Sequence, residues 1–289
     1  MRLSHNINLR GWLSWGLLLV LVAALGALVP RGPLARGVYA ATRRLVSWYT
    51  VHGYPGYLAM TGKHAVVRYL PGDRADAALV LAATEKYYGR VMSDFGVRPN
   101  NPVPVVVYPT AAALNKSFGW GDLDAMGAYW AGTVRVLAPS AWIGTASPVL
   151  DRDIFFAEGP MAHELTHLAV DDRTGGNGPR WLQEGLAQWE DRQLTGFKLP
   201  PPEGGTWYSF ADLAGCFDSL TDQPTAYYQS LAAVTYMYRR FGAPKVNALL
   251  DLLRAGRSME QALSGAFGEN TAAFAVQYQK FATTNLDWW

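Results

Sequence analysis

The chain has 289 residues and a single cysteine, Cys216, which excludes an intrachain disulfide. A lone cysteine is more often a small core residue than a nucleophile, and Cys216 is assigned no role. A strong charge of either sign is also missing. Lys and Arg number 25 against 23 Asp and Glu, and no long basic run occurs, so there is no electrostatic case for a nucleic-acid partner. Internal repeats are absent. Histidine is scarce, with five in all, so two of them standing four residues apart carry information. Apolar residues are plentiful at 50%, enough for the core of one globular domain.

The informative pair is in His163-Glu164-Leu165-Thr166-His167, an HExxH stretch. On a helix, positions i and i+4 lie on one face about a turn apart, so both imidazoles can grip one metal ion. Glu164, beside the first of them, can point at a water held by that ion. The surroundings predict the helix. Gly159-Pro160 precedes the motif, and proline suits a first helical turn, where its missing N–H costs nothing. Met161, Ala162, Leu165, Leu168 and Ala169 give an apolar lining, and Thr174-Gly175-Gly176-Asn177-Gly178-Pro179 ends the helix sharply. His163 and His167 are thus polar residues on a core-like helix. Buried polar groups need partners, and a shared metal supplies them.

A third ligand follows. Arg180 to Trp189 reads as a second helix, with Trp181, Leu182, Leu186 and Trp189 at helical spacing and Glu184 close to them. Small Gly185 and Ala187 allow close helix approach. An antiparallel return over the Gly-rich turn brings Glu184 over the two histidines. Two His, one Glu and a water form a common catalytic zinc shell.

HELTH, a Gly/Pro turn and then WLQEGLAQW resemble the glutamate-type zincins (gluzincins), and more narrowly the peptidase MA-like proteins. Ala128 to Leu137 is similar to that family's strand before the active helix, and Tyr227-Tyr228-Gln229-Ser230 to the start of a later helix. The likeness runs from about His64 onward. It implies a zincin-like fold, Zn2+ held by His163, His167 and Glu184, Glu164 as catalytic base, and a peptide or protein substrate. It suggests Tyr227 as a donor to the oxyanion. Tyr228 stands beside it as the alternative, and for either tyrosine a packing role competes. Asp171 and Gln188, each one turn beyond a ligand, are candidate partners for the histidine N–H groups.

Ahead of the domain, Gly11 to Val29 is almost wholly apolar, follows Arg2 and Arg10, and is about long enough to cross a bilayer. Residues 1–33 read as a signal peptide or membrane anchor, 34–63 as a linker and 64–289 as the catalytic domain, placed outside the cytoplasm. Strands are expected at His64–Leu70, Pro102–Tyr108 and Ala128–Leu137. Helices are expected at Ala77–Phe95 and Thr110–Phe118, then near 160–171, 179–195, 209–215, 225–241, 244–254, 258–267 and 271–286. Ser258 with Gln261 fits a capping box. Phe197–Thr206 reads as a connector. Strands first and helices later give an α+β fold, a small mixed sheet followed by a mostly helical C-terminal half. Tyr129 to Val136 is the candidate edge for an extended peptide, with a fully paired interior strand as the alternative.

These features favour zinc-dependent peptide hydrolysis. One alternative is a catalytically silent binding or assembly domain that keeps its metal for stability. Such a site usually has four protein ligands, often cysteine, and gives Glu164 no purpose. A zinc hydrolase of a non-peptide bond is the other.

Overall fold

A computed structural model of the protein describes residues 33–119, 125–145, 147–202 and 207–284. Its elements in order are α1 (Pro33–His52), β1 (Leu58–Thr61), β2 (Ala65–Tyr69), α2 (Arg74–Asp94), β3 (Val103–Tyr108), α3 (Ala111–Phe118), β4 (Gly127–Trp130) and β5 (Thr133–Leu137). There follow α4 (Pro148–Glu158), α5 (Met161–Thr174), α6 (Arg180–Thr195), α7 (Phe210–Gly215), α8 (Gln223–Arg254), α9 (Met259–Phe267) and α10 (Thr271–Thr284). The expected order, a sheet and then a helical half, is what is found.

The five strands lie in the order β1-β2-β3-β5-β4. β2, β3 and β5 run parallel, and β1 and β4 pair antiparallel at the two edges. A strand buried on both faces reads as a continuous apolar run, and Val103 to Tyr108 is buried throughout. Its side chains divide by the period of two. Val103, Val105 and Val107 join the main core with α2, α5 and α6, and Val106 and Tyr108 join a smaller cluster with Leu114 and Leu137. The main core continues through α8, α9 and α10, so one apolar interior joins the sheet to the helical half.

α5 is the element that matters for chemistry. It packs on α2, α6, α8 and the edge strand β4. Met161, Ala162, Leu165, Ala169 and Val170 are fully buried, so the helix is wrapped on nearly every side. Its C-cap Gly175 adopts φ 63° and frees the chain to turn back into α6. Gly185 of α6 serves the next layer. A Cβ there would stand 2.3 Å from the Ser230 carbonyl oxygen of α8, so the small residue admits α8 rather than α5.

Three expectations are corrected. Residues 34–63 are not a linker. Most of them form α1 and β1, because α1 buries Val46 and Thr50 against the sheet and sends Tyr39 and Arg43 to Asp171. Gly53, Pro55 and Gly56 lie in the turn between α1 and β1, where Gly56 takes φ 78°, and Gly62 lies in the turn between β1 and β2. Ala128–Leu137 is not one strand but a hairpin. Ala131 and Gly132 take φ 47° and 85°, and two left-handed residues make the tight turn that matches strand twist. Of this hairpin only β4 is then an edge, while Val134–Val136 of β5 is paired on both sides. Helix α4 was not expected. Ser147 caps it by accepting from Leu150 N–H, with Pro148 in the first turn.

Other readings hold. Ser258 and Gln261 make a reciprocal capping box. The expected division near residue 242 appears as a break within α8, where Gly242 takes φ 79° and ψ 163°. Residues 203–206 of the connector and the apolar stretch Gly11–Val29 lie outside the described residues. Among the described residues no helix is long and apolar enough to cross a membrane.

Candidate metal centre and active site

Three side chains converge between α5 and α6. His163 Nε2 lies 3.2 Å from Glu184 Oε2, and His167 Nε2 lies 3.5 Å from Glu184 Oε1. The imidazoles stand edge-on to each other with centroids 4.8 Å apart. One ligand atom from each residue falls within 4.8 Å of the others, the one such group of three found among the described residues. His167 and Glu184 are buried and His163 is half-buried.

These separations test whether zinc fits. Ligands at about 2.0–2.1 Å in a tetrahedral arrangement stand about 3.3 Å from one another. The two N–O distances bracket that value, and two imidazoles with one carboxylate are a suitable donor set. Buried Glu164, adjoining the first ligand, has Oε2 with no hydrogen-bond partner. Buried polar atoms are rarely orphaned without a reason. The centre therefore fits zinc in the chemistry of its donors, with one ligand atom from each residue grouped within 4.8 Å.

Electrostatics follow the same geometry. Burial works against the Glu184 carboxylate, but the charges of His167 and Arg180 outweigh it and hold its pKa well below the usual range. Burial also opposes a proton on His163, yet the hydrogen bond and charge of Glu184 lift it to about 9. His167 is lowered, with burial as the chief cause. Glu164 is pushed up to about 7 by burial, against the pull of His163.

Each remaining candidate has a definite place. Asp171 does not meet a histidine. It accepts from the Tyr39 hydroxyl at 2.8 Å, from Arg43 Nε at 3.0 Å and from the Tyr129 hydroxyl. Gln188 donates to the Tyr227 carbonyl oxygen at 3.1 Å, also away from the imidazoles. Tyr227 packs edge-on against Phe217. Its hydroxyl is raised by burial and then by the charge of Glu184, with Arg180 opposing. Burial raises Tyr228, and the charge of Glu184 acts on Tyr227.

A search with family models finds one match, to the peptidase MA superfamily, over residues 83–284. The chain belongs to the peptidase MA superfamily. No curated protein and no solved structure gives a significant match. The matched region of this superfamily member holds both helices of the metal centre, the hairpin β4–β5 and Tyr227, while α1 and β1 fall outside it.

Sequence reading did not pick out three neighbours of the centre. Arg180 pairs with Glu184 Oε1 at 2.9 Å and with Asp218 at 3.1 Å, and the i, i+4 spacing of Arg180 and Glu184 was the available signal. Gly127 of β4 faces α5 so closely that a Cβ would lie 3.0 Å from Glu164 Oε1. Asp191 is raised to about 6 by burial, with the charge of His163 opposing. Gly127 and Asp191 depend on tertiary contacts and leave no local mark in the sequence.

Proposed function

We propose that this member of the peptidase MA superfamily is a zinc-dependent peptidase with Glu164 as its general base. The observation that carries the reading is the buried, unpartnered Glu164 Oε2 beside three ligand atoms grouped within 4.8 Å. His163, His167 and Glu184 would hold the metal, and Arg180 would keep the Glu184 carboxylate ionised and oriented. Zinc held there would polarise the scissile carbonyl and lower the pKa of water toward neutrality.

The protein's own groups supply the rest. An extended substrate would add its backbone to the edge of β4, which ends the sheet and lies against α5. Gly127, having no side chain, leaves Glu164 in place at that edge. Glu164 would take a proton from the attacking water and hand it to the departing amine. Burial keeps the Tyr227 hydroxyl protonated, so it can donate to the oxyanion. A purely structural metal site would bury Glu164 at a cost and give it nothing to do.

The test is a mixed peptide library incubated with zinc-loaded wild type and with Glu164→Gln. The proposal expects cleavage by wild type alone, with equal zinc in both proteins. Equal cleavage by both, or none by the zinc-loaded wild type, would overturn it. We also propose that the domain works outside the cytoplasm, supported by the apolar stretch Gly11–Val29 after Arg2 and Arg10. A reporter active only after export, fused behind residue 289, should be active, and an inactive fusion would count against that placement.

A further inference from the structure

His167 Nδ1 is buried and has no hydrogen-bond partner. Ligating histidines usually have that second nitrogen tied to a carboxylate or carbonyl, which fixes the ring. Here an aromatic ring lies alongside the imidazole. Tyr129 of β4 stacks on His167 with centroids 6.4 Å apart and planes 24° from parallel. Tyr129 is itself pinned. Its hydroxyl donates to Asp171 Oδ2 and accepts from Gly132 N–H at 3.0 Å. Asp171, one turn beyond His167 on α5, is 2% exposed, and its other donors are Tyr39 and Arg43 of α1. Arg43 also pairs with Asp172 at 2.5 Å.

From this chain of contacts we infer that Tyr129 is a positioning residue for the metal ligand His167, and that α1, through Tyr39 and Arg43 on Asp171, sets where Tyr129 stands. The inference rests on the zinc reading above. It makes α1, which precedes the segment matched to the family, a working part of the metal centre. No atom of α1 needs to approach the ion. Arg43 fixes the carboxylate, the carboxylate fixes the tyrosine hydroxyl, and the tyrosine ring limits the tilt of the imidazole.

The test uses the full chain and reads zinc affinity by chelator competition, together with the visible absorption spectrum of the cobalt-substituted protein. That spectrum reports ligand geometry, which a loss of general stability does not change. Tyr129→Phe keeps the ring and cuts its tie. Arg43→Gln and Tyr39→Phe act only from α1, and Arg43→Lys is the conservative control. The expected result is a zinc affinity lower by about 10–100-fold in Tyr129→Phe and Arg43→Gln, a smaller loss in Tyr39→Phe, altered cobalt spectra, and partial recovery in Arg43→Lys. Should Arg43→Gln fail to fold, the two Tyr→Phe variants decide. Unchanged zinc affinity and cobalt spectra in these variants, whatever their melting temperatures, would overturn the positioning role while leaving the zinc reading intact. A wild-type chain that takes up no zinc would instead remove the zinc reading itself, and the inference with it.

Discussion

Two carboxylates lie on α5 two turns apart, and both are buried: Glu164 at 4% exposure and Asp171 at 2%. Burial raises the pKa of each. Their surroundings differ. Asp171 is met by two tyrosine hydroxyls and a guanidinium. Glu164 has an oxygen with no partner, next to three convergent ligand atoms. A compensated charge ties elements together, and an uncompensated one is held ready to react. The same residue chemistry on the same helix is therefore tied into the structure at one end and, in the proposed function, reserved for catalysis at the other.

The sharpest way to break this comparison is to exchange the penalties. Glu164→Gln should lower kcat/KM for peptide hydrolysis by about 10²–10⁴ and leave the melting temperature as high as in wild type or higher, since a poorly solvated carboxylate is removed. Steady-state kinetics and calorimetry on one preparation check both. A variant that loses stability instead would place Glu164 with Asp171.

Asp171→Ala should act first on stability. It leaves Arg43 and two tyrosine hydroxyls without their acceptor, and losing one partner of a buried ion pair costs about 3–5 kcal/mol. The low end is expected, because Arg43 keeps Asp172. Urea unfolding measures it. Next in size is Tyr227→Phe, which removes the hydroxyl proposed to donate to the oxyanion. It should lower kcat by up to about 10²–10³ without changing zinc content or melting temperature. A fall in melting temperature at constant kcat would assign Tyr227 to packing.

The smallest effect concerns a third buried carboxyl. Glu190 of α6 is 4% exposed, has Oε1 without a partner, and lies beside Asp94. Burial and Asp94 push it up to about 8. Its carboxyl shares a hydrogen bond with Asp94, and among the described residues it is not part of a three-ligand group. Its folded pKa lies above the unfolded value of about 4.3, so the native state binds more protons between those values. This contribution is therefore greatest below the unfolded pKa and is lost as pH rises toward 8. Glu190→Gln should melt higher than wild type at pH 8, by about 2–4 °C for each kcal/mol relieved, and equal to it near pH 4. No difference at pH 8 would contradict this.

Much of this was legible in the sequence because it is local. His163, His167 and Glu184 lie within 22 consecutive residues, joined by one Gly-rich turn, so helical spacing and one antiparallel return were enough to bring them together. The capping box at Ser258 and the break near Gly242 were readable for the same reason. Contacts between distant segments were not. Tyr39 and Arg43 reach Asp171 from more than 120 positions upstream, and α1 bears the Gly and Pro flank of a connector. The hairpin at Ala131-Gly132 was hidden because Ala131 adopts φ 47°, a conformation its side chain disfavours and only the paired strands impose. Gly127 reads as an ordinary strand residue until α5 is placed against it.

The most direct measurement is zinc stoichiometry by elemental analysis in wild type, Glu164→Gln and Glu184→Ala, purified identically. One zinc per chain in the first two and loss of zinc in Glu184→Ala is the result expected of three ligands from α5 and α6 with Glu164 left free for the reaction. Full zinc in Glu184→Ala, or none in Glu164→Gln, would contradict that division of roles.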